Sequence, residues 1–128
     1  MPDEVVLDAS AMLAILKRET GAERVRAVLD RAAISTVNLA EVQGKLVNAG
    51  LDRHTAWERI TFLGCRAVPL DEPLAREAGS LIAKTFPHRL SLGDRACLAL
   101  AMERKARVYT TDKAWKNLSL GIEIEVIR

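Results

Sequence analysis

Four carboxylates, Asp8, Glu41, Asp94 and Asp112, stand where a predicted strand ends or a predicted helix begins. Each alone has an ordinary explanation. Asp8 and Asp112 suit helix caps, Asn38-x-x-Glu41 and Ser91-x-x-Asp94 fit capping boxes, and Glu41 stands one turn before Lys45. Together they ask for more. Like charges converging on one crevice repel, and burial adds to the cost, so they need a partner that a helix dipole does not supply. A hard divalent cation is that partner. Mg²⁺ or Mn²⁺ takes carboxylate oxygens and water, with only one or two direct protein ligands and phosphate or water in the remaining positions.

Other site chemistries lack their residues. Cys65 and Cys97 form no Cys-x-x-Cys pair and have no histidine beside them, so both read as buried thiols rather than zinc ligands. His54 and His88 are isolated and read as surface residues. Ser10 and Ser91 have no neighbouring histidine in a nucleophile motif, so acyl-enzyme chemistry has no support.

The elements that must position the acids follow from periodicity. Residues 4–8, "EVVLD", read as a strand ending at Asp8, followed by a helix "AMLAILKRE" closed near Gly21 and a second helix, "AERVRAVLDRA". Residues 33–37 read as a strand, Asn38 as a cap, and the following segment as a helix ending at Gly50. Asp52 starts a helix with Ala56, Ile60 and Leu63 on one side, where Trp57 and Phe62 read as core in preference to an interface. A strand at 66–70, with Pro69 marking an edge or an end, leads into an acid-first helix closing near Lys84. After the Asp94 helix come a strand at 107–111, a short helical turn and a last strand at 122–127.

Strands alternating with helices imply α/β architecture: a three-layer α/β/α sandwich around a mainly parallel sheet of about five strands. In such sheets ligands sit outside the carboxyl ends of the strands, at a switch in strand order. Asp8, Glu41 and Asp112 fall there. Asp94 heads the side of its helix that continues through Cys97, Leu98 and Ala101, an apolar stripe rather than a solvated one.

At 128 residues the chain reads as one domain, residues 1–128, able to bury roughly two-thirds of its unfolded surface. It is 49% hydrophobic and 28% charged, a globular composition, and 4% aromatic content argues against a base-stacking surface. A net charge of +2 admits a polyanionic partner without arguing for one. No basic leader precedes an apolar run, and no segment reaches the roughly 18 apolar residues of a membrane span, so the expected location is cytoplasmic.

"VVLDASAML" at the start, "NLAE" at 38–41, "LSLGDRACLALA" at 90–101 and "VYTTDKAW" at 108–115 together resemble the PIN-domain ribonucleases, in particular the VapC toxins of toxin–antitoxin pairs. The likeness spans almost the whole chain. It implies a metal-dependent endoribonuclease using Mg²⁺ or Mn²⁺, with Asp8, Glu41, Asp94 and Asp112 as catalytic and metal-binding residues and Asp8 and Asp94 as the direct ligands. Ser10 and Thr110 match supporting hydroxyl positions. One departure is Ala114, where some members carry a further acid. The resemblance also implies a homodimer and a cognate antitoxin protein.

Arg95, Lys45 and Lys113 each stand near a site acid and are candidate contacts to substrate phosphate, or else solvated charges. Two rival readings remain. A phosphoacceptor receiver domain shares the length and an acidic Mg²⁺ pocket, but needs paired acids after strand one, whereas Asp8 stands between Leu7 and Ala9. A catalytically silent PIN-like binding scaffold would not need the four acids intact.

Overall fold

The first strand, β1 (Val5–Leu7), is apolar at every position because both of its faces are covered. The computed structural model describes residues 3–128, so Met1 and Pro2 of the segment read for a leader lie outside the described residues. From β1 the chain runs through helices α1 (Ala9–Leu16) and α2 (Ala22–Arg26) to strand β2 (Ala32–Ser35), then helices α3 (Thr36–Asn48) and α4 (Arg53–Phe62). Strand β3 (Arg66–Val68), helices α5 (Glu72–Thr85) and α6 (Leu92–Arg104), and strands β4 (Arg107–Thr110) and β5 (Ile124–Val126) complete it.

The five strands form one parallel sheet, as the alternating pattern predicts, and their order is β3-β2-β1-β4-β5. Leu7 lies opposite Ile34 on one side and Tyr109 on the other. Alternate residues feed two cores. Val5, Leu7, Ile34 and Tyr109 pack with α1 to α4, while Val6, Ala33 and Val108 pack with α5, α6 and Trp115. The three layers follow from this period of two. Chain order reverses beside β1, which opens a crevice between the carboxyl ends of β1 and β4. A receiver-type sheet runs 2-1-3-4-5 instead, so the order seen here removes that rival.

Several boundaries differ from the sequence expectation, each for a local reason. The β2 strand stops at Ser35 rather than 37, because the Ser35 hydroxyl accepts from the Val37 N–H at 3.2 Å and starts α3 directly. Thr36 and Val37, β-branched and strand-like in sequence, fall in the first helical turn. Asn38 is therefore inside the helix and not its cap. The first helix ends at Leu16, where Arg18 turns left-handed; Gly21 follows at φ +96°, and a Cβ there would lie 2.5 Å from the Ile127 carbonyl oxygen. The predicted second helix divides into α2 and a 3₁₀ turn, Leu29–Arg31.

On α4 the inward face is Ala56 and Ile60, as predicted, but Trp57 is 44% and Phe62 90% exposed, so neither is core. Positions one and two residues beyond a buried helical position turn away from it. Cys97 is fully buried, whereas Cys65, next to the edge strand β3, is only partly covered. His54 and His88 are exposed. No helix among the described residues is long and apolar enough to cross a membrane.

Candidate functional site

The carboxyl edge of the sheet opens into a cleft of about 440 Å³ lined by Asp8, Glu41, Asp94 and Asp112. Asp8 is its most constrained member. It follows β1 as the cap of α1, 6% exposed, and its Oδ1 accepts from the Ala11 N–H at 2.8 Å and the Ser10 hydroxyl at 2.7 Å. Its Oδ2 accepts from the Thr110 hydroxyl at 2.6 Å. The predicted strand end was thus one residue late; β1 closes at Leu7. Burial pushes the Asp8 carboxyl up from 3.8 to about 6, the three hydrogen bonds pull the other way, and the charge of Asp94 adds to the rise.

Ser10 and Thr110 do more than donate to Asp8. The Ser10 oxygen also accepts from the Thr111 N–H at 2.9 Å, and the Thr110 oxygen from the Asp112 N–H at 3.1 Å. These bonds tie the end of β4 to the start of α1. Asp112 itself caps the 3₁₀ turn Lys113–Asn117, with its Oδ1 accepting from the Ala114 N–H at 3.0 Å.

Asp94 is at once a helix-start residue and a wall of the cleft. Ser91 and Asp94 form a reciprocal capping box, each backbone N–H bonded to the other side chain at 3.1 Å, and the same carboxylate lines the cleft. Behind it lies Cys97, whose thiol is pushed well above its usual range by burial and further by Asp8, Asp94 and Glu41. Three of the acids thus act on one buried atom.

Glu41 is not the second half of a capping box. The Asn38 side chain, 1% exposed, donates from Nδ2 to Glu41 Oε1 at 2.9 Å and to the Gly93 carbonyl at 3.0 Å. Gly93 leaves the space that Glu41 fills, since a Cβ there would overlap both carboxylate oxygens and lie 2.6 Å from Cδ. Sequence reasoning missed both residues. The available signals were a polar residue three before an acid on one helix face and a glycine in the first turn of a helix.

Among the candidate phosphate contacts only Lys45 lines the cleft, where Lys17 and Arg128 join it unpredicted. Arg128 is bonded to Glu19 at 3.1 Å. Arg95 is placed elsewhere: its guanidinium donates to the Ala78 carbonyl at 2.9 Å and the Leu90 carbonyl at 3.4 Å, fastening α6 to α5. Lys113 is exposed at the start of its 3₁₀ turn, outside the cleft lining.

The donors facing the cleft are carboxylates, hydroxyls and an amide, with neither thiolate nor imidazole among its lining residues. Among the described residues no three His, Cys, Asp or Glu side chains close into a ready-made metal cluster, so the acids stand as a spaced set. A spaced all-oxygen set fits a hard cation that keeps much of its water. The Asp8 carboxyl, raised by burial and by Asp94, is the group such a charge would relieve.

Comparison with known proteins identifies the family and the fold. The sequence matches the PIN domain family over residues 5–120. The fold is similar to a toxin–antitoxin complex from Klebsiella pneumoniae, with a TM-score of 0.75, 15% identity and 98% of each chain covered. It is also similar to DNA-bound VapBC from Salmonella typhimurium, with a TM-score of 0.74, 19% identity, and 97% of this chain and 98% of that one covered. A member of the VapBC family of toxin–antitoxin systems from Mycobacterium tuberculosis matches at 25% identity and a TM-score of 0.67, over 99% of each chain. No curated protein matches the sequence significantly. A family match that begins at β1 and continues past β4, on a parallel sheet carrying an acidic cleft at its carboxyl edge, makes this chain a member of the PIN domain family.

Proposed function

We propose that the protein is the toxin of a toxin–antitoxin pair, a VapC-type endoribonuclease that hydrolyses phosphodiester bonds in RNA with Mg²⁺ or Mn²⁺. The observation that carries this reading is the set Asp8, Glu41, Asp94 and Asp112 lining one cleft at the carboxyl edge. Family membership and the likeness to toxin–antitoxin structures support it.

In this reading Asp8 and Asp94 hold the cation, with Glu41 and Asp112 completing the acidic set. When bound, the cation supplies charge neutralisation at the scissile phosphate and a lower pKa for an attacking water. Ser10, Thr110 and the Ala11 N–H keep Asp8 in one orientation, so little is lost to reorganisation on loading. Glu41 and Asp112, each held on one oxygen by Asn38 and Ala114, are the exposed carboxylates that orient or deprotonate the water. Lys45, with Lys17 and Arg128, offers positive charge to the flanking phosphates.

The partners in this reading are RNA, an antitoxin protein and a second copy of the chain, and the setting is the cytoplasm. Residues 1–128 act as one domain. Trp57 and Phe62, turned outward on α4, supply apolar surface suited to a protein partner. The test is cleavage of RNA by the purified protein. It should require Mg²⁺ or Mn²⁺, stop with EDTA, and disappear in Asp8→Asn and Asp94→Asn; full activity in either variant overturns the reading. A protein that binds its partner and never cuts RNA is the silent scaffold instead.

A further inference from the structure

We infer that Asn38 is a positioning residue that acts through Glu41, and that Asn38 and Gly93 together form a cradle joining the two helices that carry Glu41 and Asp94. The inference rests on the metal-site reading above. Glu41 is exposed as a residue, and a free glutamate side chain samples several rotamers. Here one donor fixes it. Asn38, one turn earlier on α3 and 1% exposed, holds Glu41 Oε1 at 2.9 Å and at the same time the Gly93 carbonyl at 3.0 Å. That carbonyl belongs to the first turn of α6, one residue before Asp94.

The chemistry of the two contacts dictates the amide. Both neighbours are acceptors, so the NH₂ end must face them, and the Asn38 Oδ1 is left buried with no partner among the described residues. A buried orphan acceptor is costly. A side chain kept in that state, rather than a leucine packed there, serves the two bonds it makes. Gly93 supplies the other wall. A Cβ at 93 would overlap the Glu41 carboxylate, so any side chain there would push that carboxylate to another position, although Gly93 carries no positive φ and its backbone does not need glycine. The small residue and the amide therefore define one position for the Glu41 carboxylate relative to Asp94.

The test uses the whole protein and reads Mn²⁺ affinity by calorimetry alongside kcat and KM on a model RNA. Asn38→Ala and Gly93→Ala should each weaken Mn²⁺ binding or lower kcat by about 10- to 100-fold, the usual cost of losing the partner of a site residue. KM for RNA should stay close to that of the parent. Gly93→Ala guards against a folding defect in Asn38→Ala, because alanine favours the helix. The decisive arm is a double-mutant cycle: in a Glu41→Gln background, Asn38→Ala should cost less than it does in the parent.

Independent, multiplying losses in Asn38→Ala and Glu41→Gln overturn the inference, as does an Asn38→Ala protein with unchanged affinity and kcat. If the parent binds Mn²⁺ but cuts no RNA, the nuclease reading fails, and the cycle in Mn²⁺ affinity still decides the role of Asn38. A parent that binds no Mn²⁺ overturns both.

Discussion

The two edges of the sheet treat their carboxylates in opposite ways. At the amino edge Glu4, just before β1, is bonded to Arg66 at the start of β3 and to Arg104 at the end of α6, while Arg107 at the start of β4 holds Glu123 at 2.7 Å. At the carboxyl edge none of the ion pairs among the described residues includes Asp8, Glu41, Asp94 or Asp112. Hydroxyls, an amide and backbone N–H groups hold those acids instead. One edge is neutralised by its own chain. At the other the four acids are oriented but have no ion-pair partner among the described residues, so their neutralisation falls to something that binds.

The sharpest break of this contrast is catalytic. Asp94→Asn at the charged edge should lower kcat/KM for RNA by at least about 100-fold, whereas Glu4→Gln at the matched edge should leave it unchanged. Equal losses in a kinetic assay would show that the two edges do not differ in function.

The next effect is on stability. Folding raises the Asp8 carboxyl from 3.8 to about 6, so its contribution is fully present below about pH 4 and is lost as pH climbs through about 6. At about 1.4 kcal/mol per pH unit, the ionised group costs the metal-free fold about 3 kcal/mol. Asp8→Asn should therefore unfold later in urea, by up to about 3 kcal/mol at pH 8 in EDTA, with the gain shrinking toward pH 4. The variant should also lose the thermal shift that Mg²⁺ gives the parent. A less stable variant at pH 8 would mean that the hydrogen bonds at Asp8 outweigh its burial. Asp94→Asn is a poorer probe because it also disturbs the capping box with Ser91.

Smaller effects refine the picture. Replacing Lys17 or Lys45 with alanine should reduce the slope of log affinity for RNA against log salt by about 1 each and raise KM with kcat kept. A slope unchanged in both would remove them from the substrate path. Glu4→Gln should destabilise the protein by about 1 kcal/mol or less in the same urea assay, because its arginine partners are partly exposed.

Much of this contrast was legible in the chain itself. The parallel sheet follows from short apolar runs alternating with helices, and the four acids follow from their places at strand ends and helix starts. What was not legible depends on direction. Asn38 next to a helix start reads as a cap, and only the position of Ser35 shows that the helix begins earlier. Arg95 stands beside Asp94 in sequence, yet neighbours on a helix diverge by about 100° and its head turns to α5. Lys17 and Arg128 lie at opposite ends of the sequence, and only the fold brings them to one rim. Trp57 and Phe62 look like core by composition, but α4 buries its small side, Ala56 with Ile60, and turns the aromatics out.

The hydroxyls of Ser10 and Thr110 carry a consequence for motion. Each accepts an N–H from the segment after β4, that of Thr111 or of Asp112, while donating to the same Asp8 carboxylate. Those two amides belong to no strand or helix and lie near the surface, where exchange with solvent is ordinarily fast. Here they should exchange with deuterium at the pace of the central strands. One opening would have to release β4, α1 and Asp8 together, so the loop that bears Asp112 keeps time with the core of the sheet.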